Sequence, residues 1–175
     1  LMGGLGKLMP YTAFCFLIGT MAISALPPFN GFVSEWFTYQ SLFTLSQSDD
    51  FVLKLAGPIA IIMLALTGAL AALCFVKVYG ISFGGAPRSE KAANAREVPK
   101  PMVIAMAVLA LCCVLLGVGA SVVTPIIAKI STALAHSEPL MLAQNGVVVA
   151  QAEPHTVLST PMVTIMLLAF FFLPF

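Results

Sequence analysis

Charge is what this sequence has least of. Of its 175 residues, 9% are Asp, Glu, Lys or Arg, whereas 60% are hydrophobic and the mean hydropathy is +1.04. A soluble domain carries roughly a quarter charged residues, so eight basic and seven acidic side chains cannot cover a water-facing surface of this size. The chain therefore reads as an all-α integral membrane protein. A net charge of +1, with no basic cluster, excludes nucleic acid as a partner. The four cysteines, Cys15, Cys74, Cys112 and Cys113, all lie in apolar runs without disulfide or metal-ligand spacing. Nothing resembles a nucleophile elbow, a phosphate loop, a haem ligand pair or an iron–sulfur pattern, so no cofactor, metal or redox site is expected on this chain. An initiator Met and a signal peptide are missing as well, and the last apolar run, Pro161 to Phe175, has 15 residues where a helical crossing needs about 20. The expectation is a fragment of a longer membrane protein.

Long apolar runs are what the sequence does have. Six segments follow from them: a broken transmembrane helix over 1–46 with its break at 25–31, a second span over 47–83, a basic loop over 84–100, a third span over 101–123, an external segment over 124–160 and a truncated span over 161–175. Met9 to Leu45 is too long for one plain crossing, and Ala25-Leu26-Pro27-Pro28-Phe29-Asn30-Gly31 interrupts it with two prolines and an Asn-Gly turn signal. Either a hairpin or one crossing made of two half-helices fits this pattern. Charge favours the single crossing, because it puts Lys7 on the same side as Arg88, Lys91, Arg96 and Lys100, as cytoplasmic loops require. In the external segment, Thr124 to Ala135 suits a short interfacial helix and Gly146 to Ala150 has strand-like composition. His136 and His155 are too far apart to form a ligand pair by spacing and read as solvated surface.

Glu35 is the residue most suggestive of chemistry. An ionisable group inside a membrane span costs at least about 2.5 kcal/mol at the helix centre and marks an ion or proton path by default. Desolvation favours its neutral form, whereas the start of a half-helix favours the anion, an opposition that suits proton exchange. Pro27, Pro28 and Gly31 supply a break, which at membrane depth is tolerated only where it is buried in protein or lines a wet cavity, and Asn30 fits the N-cap of the following helix. Phe32, Glu35, Trp36 and Tyr39 share one helical face, which brings the Tyr39 hydroxyl toward the carboxyl. The alternative for Glu35 is a structural ion pair. Lys77 has two readings, an anchor that snorkels to the headgroups beside Tyr79, or a member of the same relay. Gly3, Gly4 and Gly6 point to a closely packed turn before Lys7, Asp49-Asp50 to a polar turn ending a helix, and Gly68 with Ala72 to close approach of another helix.

The stretch Met2-Gly3-Gly4-Leu5, Lys7 and Ala25-Leu26-Pro27-Pro28-Phe29-Asn30-Gly31-Phe32-Val33-Ser34-Glu35-Trp36 resembles the late broken helix of the antiporter-like proton-translocating subunits. These belong to respiratory complex I, multisubunit sodium/proton antiporters and group 4 nickel–iron hydrogenases, and the wording is most similar to the hydrogenase 4 component B and formate hydrogenlyase subunit 3 branch. The resemblance implies an antiporter-like helix bundle of two inverted five-helix repeats, of which this chain would be the C-terminal part with one discontinuous helix. It implies that Glu35 occupies the place where relatives carry Lys or Glu as the last proton relay toward the outside; Tyr39, by its spacing, and Lys77 are the other relay candidates. It also implies other membrane-arm subunits and a peripheral hydrogenase module as partners, in a multi-pass protein of a bacterial inner membrane. The competing readings are a non-pumping anchor, a sodium/proton antiporter subunit or an NADH-quinone oxidoreductase membrane subunit.

Overall fold

The computed structural model describes residues 2–135, 144–145, 148–150, 157–159 and 166. His136, His155 and, apart from Met166, the apolar run from Pro161 lie outside the described residues. A short 3₁₀ turn, Leu5–Lys7, leads into α1 (Pro10–Ile23) and α2 (Asn30–Ser46). Then follow α3 (Phe51–Phe83), a single turn α4 (Glu90–Ala93), α5 (Lys100–Val118) and α6 (Ala120–Ala135). Three short strands, β1 (Gln144–Asn145), β2 (Val148–Ala150) and β3 (Val157–Ser159), form an antiparallel meander with Val149 opposite both Gln144 and Leu158. The molecule is an all-α membrane bundle with this small sheet beyond its last described helix.

Local chemistry explains several boundaries. Pro10 stands at the start of α1 and Pro101 at that of α5, where a missing N–H costs nothing. The Asp50 carboxylate accepts from the Val52 amide at 2.9 Å and caps α3, so the polar turn with Asp49 and Asp50 that follows the end of α2 also starts the next helix. Ser89 caps α4 through the Ala92 amide at 3.2 Å, with Glu90 in its first turn. α3, at 33 residues, and α5, at 19, are long and apolar enough to cross a membrane.

α1 and α2 form one discontinuous helix, because both run along α3 in a single antiparallel register. The Phe16 ring packs on Tyr79 and Phe83 at centroid distances of 6.4 and 5.3 Å. Further on, the Glu35 carboxylate lies beside Gly68, and Leu42 and Ser46 lie against Gly57. Partners on α3 thus fall from 83 to 57 as the numbers on α1 and α2 rise, a distance of about 39 Å at 1.5 Å per residue. A hairpin would return α2 to the level of Phe16. Tyr79 accordingly sits in the seam between α1 and α3. The Gly4 amide donates to the Gly84 carbonyl at 2.9 Å, which places the chain start and the loop after α3 at the same end. Gly4 has φ 65°, and a Cβ there would lie 2.7 Å from the Pro87 nitrogen, so this turn requires glycine.

The helix contacts use small residues. Ala13, Thr20, Ala22, Ala110, Gly117 and Ala120 are buried, whereas Leu66, Leu73, Val76 and Leu109 are exposed. Lipid removes the hydrophobic drive between helices, so close backbone approach and dispersion hold them, and large side chains face outward.

Candidate functional site

The site grows out of the break between α1 and α2. The Ser24 amide closes α1 on the Thr20 carbonyl at 3.1 Å, and the Leu26 amide reaches back to the Met21 carbonyl at 3.1 Å. Between them Ala25 holds φ 52°, a left-handed conformation uncommon for a residue with a Cβ. The Pro27-Pro28 bond is cis, and the buried Phe29, extended at φ −80° and ψ 165°, precedes the first turn of α2. Asn30, expected as the N-cap, is instead the first helical residue, and Phe29 takes the cap position without a side-chain hydrogen bond. One position into the helix, Asn30 lines the hollow instead of capping the amides that follow it. A Cβ on Gly31 would fall on the Ala22 carbonyl oxygen, and one on Gly117 of α5 would fall on the Pro28 carbonyl oxygen. Glycine at both positions lets three backbones meet at the break.

Glu35 is the sixth residue of α2 and is half-buried. It stands beyond the first turn, so the helix start acts on it less than the sequence suggests, since that effect fades within one turn. Its carboxylate oxygen would lie 3.2 Å from a Cβ on Gly68, so that glycine makes room for the carboxyl. Along α3, Gly68 is about 21 Å from Lys54 and about 13 Å from Lys77, near the middle of the apolar stretch those lysines bound. Among the described residues no Lys, Arg or His is paired with Glu35.

The carboxylate opens into a hollow of about 620 Å³ whose polar lining is Ser24, Asn30, Ser34, Thr38 and Thr67, with Cys113 from α5 on its wall. The Thr38 hydroxyl donates to the Ser34 carbonyl at 3.0 Å and the Thr67 hydroxyl to the Met63 carbonyl at 2.8 Å. Their protons are committed to their own helices, so the hydroxyl oxygens remain as acceptors toward the hollow. A carboxyl group in such surroundings can exchange a proton with water and hold it away from lipid. Among the described residues no group of three His, Cys, Asp or Glu is arranged to hold a metal ion.

The other sequence-derived residues divide. Tyr39, one turn after Glu35, lies within electrostatic reach of the carboxylate, and Phe32 and Trp36 stack at 6.3 Å. Asn30 and Gly31 line the hollow, and Pro27 and Pro28 form the break before them. Lys77 is not brought to this group: nine residues from Gly68, it lies roughly half a turn round α3, on the exposed opposite face. Gln40, which sequence reasoning did not single out, has its amide buried one turn after Trp36, and neither the Gln40 amide nor the Trp36 indole N–H has a hydrogen-bond partner among the described residues. Thr67 and Gly117 were likewise missed, because no local pattern reveals which face of α3 or α5 meets a break almost forty residues or more away.

Residues 1–62 match the family described as NADH:quinone oxidoreductase/Mrp antiporter, transmembrane. The chain is 50% identical over 173 residues to hydrogenase-4 component B of Escherichia coli K12, covering 99% of this chain and 26% of that protein. It is 45% identical over 175 residues to formate hydrogenlyase subunit 3 of the same organism, with 99% and 26% covered. A weaker likeness, 28% over 109 residues, covers 62% of this chain and 14% of a Na(+)/H(+) antiporter protein of Alkalihalophilus pseudofirmus. The resemblance read from Leu1 to Trp36 thus holds and extends over nearly the whole chain, which spans about a quarter of the length of its hydrogenase-4 and formate hydrogenlyase relatives.

Proposed function

We propose that this chain, similar along almost all its length to antiporter-like membrane subunits, is part of a proton-translocating subunit of a group 4 hydrogenase or formate hydrogenlyase-type complex. In this reading it lies in a bacterial inner membrane beside other membrane-arm subunits, and the metal centres of a peripheral hydrogenase module carry out the redox chemistry. The end with Lys7 and the loop after α3 faces the cytoplasm, because that loop holds Arg88, Lys91, Arg96 and Lys100. Glu35 accepts a proton inside the membrane and releases it toward the outside when the hollow's hydration changes, with the Tyr39 hydroxyl near its exit. Lys77, on the far face of α3, serves as an anchor.

The observation that carries this reading is an acid with no basic partner among the described residues, at mid-height of α3, opening at a helix break into a hollow whose largely apolar wall carries Ser, Thr and Asn side chains. A structural anchor has no need of such a hollow. The sodium/proton antiporter reading shares the site and differs in what passes through it.

The test is Glu35→Gln in the assembled complex reconstituted in vesicles. Proton uptake driven by the redox reaction should be lost while the redox reaction itself continues, and Glu35→Asp should retain part of it. Undiminished proton uptake by Glu35→Gln would remove Glu35 from the path. Uptake that persists only with sodium present would favour the antiporter reading.

A further inference from the structure

The start of α1 is held from a distant part of the chain. α1 has 14 residues, a length at which an isolated helix is marginal, and its cap residue Met9 offers no side-chain hydrogen bond to the free amides of the first turn. There is no acid in that turn either. The carboxylate of Glu97, 86 residues after Tyr11, fills the gap. It accepts the Tyr11 amide at 3.0 Å, the Thr12 amide at 3.5 Å and the Thr12 hydroxyl at 2.5 Å. Its own neighbour Val98 donates a further amide at 3.2 Å. The Thr12 hydroxyl bond, aided by these amides against desolvation, holds the Glu97 carboxyl below the usual carboxylate range.

Glu97 stands three residues before α5, and α5 meets the break just past the other end of α1 through Gly117 at Pro28 and Phe29. Lys100 and Gly117 are about 25 Å apart along α5, the same as Tyr11 and Pro28 counted at helical rise. α1 is therefore pinned to α5 at both ends, and its last turn, with Gly19, Ala22 and Ile23, is one wall of the hollow that holds Glu35.

We propose that Glu97 is a positioning residue for the Glu35 site: its carboxylate latches the start of α1 to the start of α5 and so fixes the wall that α1 presents to Glu35. The inference rests on the relay reading of Glu35 for its functional consequence, but the latch stands on its own geometry. An anion at the positive end of a helix, with two amides and a hydroxyl converging on it, is a favourable arrangement. Removing it leaves those amides with no acceptor inside α1, and the 14-residue half-helix free to fray and shift.

The experiment uses the whole complex and reads two quantities, deuterium uptake at the Tyr11 and Thr12 amides and redox-driven proton uptake in vesicles. Glu97→Ala should raise exchange at those amides about tenfold or more and slow proton uptake severalfold, with the redox turnover of the peripheral module kept. Glu97→Gln, which retains one oxygen for the Thr12 hydroxyl, should recover part of both. Thr12→Val combined with Glu97→Ala should add little to Glu97→Ala alone, since the two residues act through one contact. Should Glu97→Ala prevent assembly, Glu97→Gln and Thr12→Val carry the same comparison. Unchanged exchange in these variants would overturn the latch, and raised exchange with undiminished proton uptake would overturn its positioning role. Glu35→Gln separates the two ideas: it should abolish proton uptake with exchange at Tyr11 and Thr12 unaltered, and if it spares proton uptake the relay reading fails whatever Glu97 does.

Discussion

Two glycines that look alike in the sequence should respond differently to the same added methyl group. At Gly117 a Cβ would lie 2.5 Å from the Phe29 carbonyl carbon and 2.7 Å from its Cα, besides falling on the Pro28 carbonyl oxygen. Carbon atoms prefer about 3.5 to 4.0 Å, so α5 would have to retreat by roughly 1 Å from the break. Every atom in the way is backbone, held by the proline pair and by the extended Phe29. Overpacking usually costs about 1–3 kcal/mol, and a contact that no side chain can relieve belongs at the upper end of that range. At Gly68 the only close atom among the described residues is the Glu35 carboxylate oxygen at 3.2 Å, the far end of a flexible side chain. Gly68→Ala should cost well under about 1 kcal/mol and yet push the carboxyl from its place. The assay is thermal unfolding of the purified complex, paired with proton uptake in vesicles. Gly117→Ala should melt several degrees below the parent, and Gly68→Ala should melt close to it with impaired uptake. A Gly117→Ala protein as stable as the parent, or a Gly68→Ala protein that melts lower than Gly117→Ala, would refute this account of the break.

Two further outcomes follow from charge. Lys77→Gln should leave proton uptake within about twofold of the parent, because Lys77 faces away from Glu35 across α3. A loss as large as that of Glu35→Gln, in the same vesicle assay, would restore Lys77 to the path. The Glu97 latch should depend on pH in one direction. The carboxyl is held below its unfolded value, so its contribution is complete at neutral pH and is lost only as the pH falls through that depressed value. Deuterium uptake at Tyr11 and Thr12, corrected for intrinsic exchange, should be flat from about pH 8 to about pH 5, and a rise on that interval would show that the carboxylate is not what holds them.

The sequence carried the discontinuous helix because its determinants are local: two prolines, an Asn-Gly pair and an apolar run too long for one plain crossing. It also chose between a hairpin and a crossing, through the sign of charges near the ends. What it could not show was register between segments. Gly68 was readable as a place where another helix approaches, but not that the approaching group is the Glu35 carboxyl. Asp50 lay in a polar turn whose direction, ending one helix or starting the next, depends on which side its carboxylate finds a free amide. Glu97 was the least legible, since Glu-Val-Pro before a helix gives no hint that the acid serves another helix 86 positions earlier.

The acids among the described residues have separate accounts, and the division bears on Glu35. A helix start has unsatisfied amides and a partial positive charge, and an acidic side chain is the natural answer to both. Asp50 gives that answer to α3, Glu90 stands in the first turn of α4, and Glu97 reaches across to α1. Asp49 is exposed in the turn before α3, where a charge costs nothing. Glu35 alone among the described acids satisfies no helix start and has no access to an exposed loop. It stands in the second turn of α2, where every backbone amide has its own carbonyl. A charge scarce enough to be spent elsewhere on capping, and yet placed here against the cost of the membrane, is not explained by the stability of the fold. Gly68 has given up a side chain to leave it room, and the hollow beside it offers acceptors rather than a cation. The proposed proton relay would need this room and these acceptors, whereas a structural ion pair would need a cation beside the carboxyl.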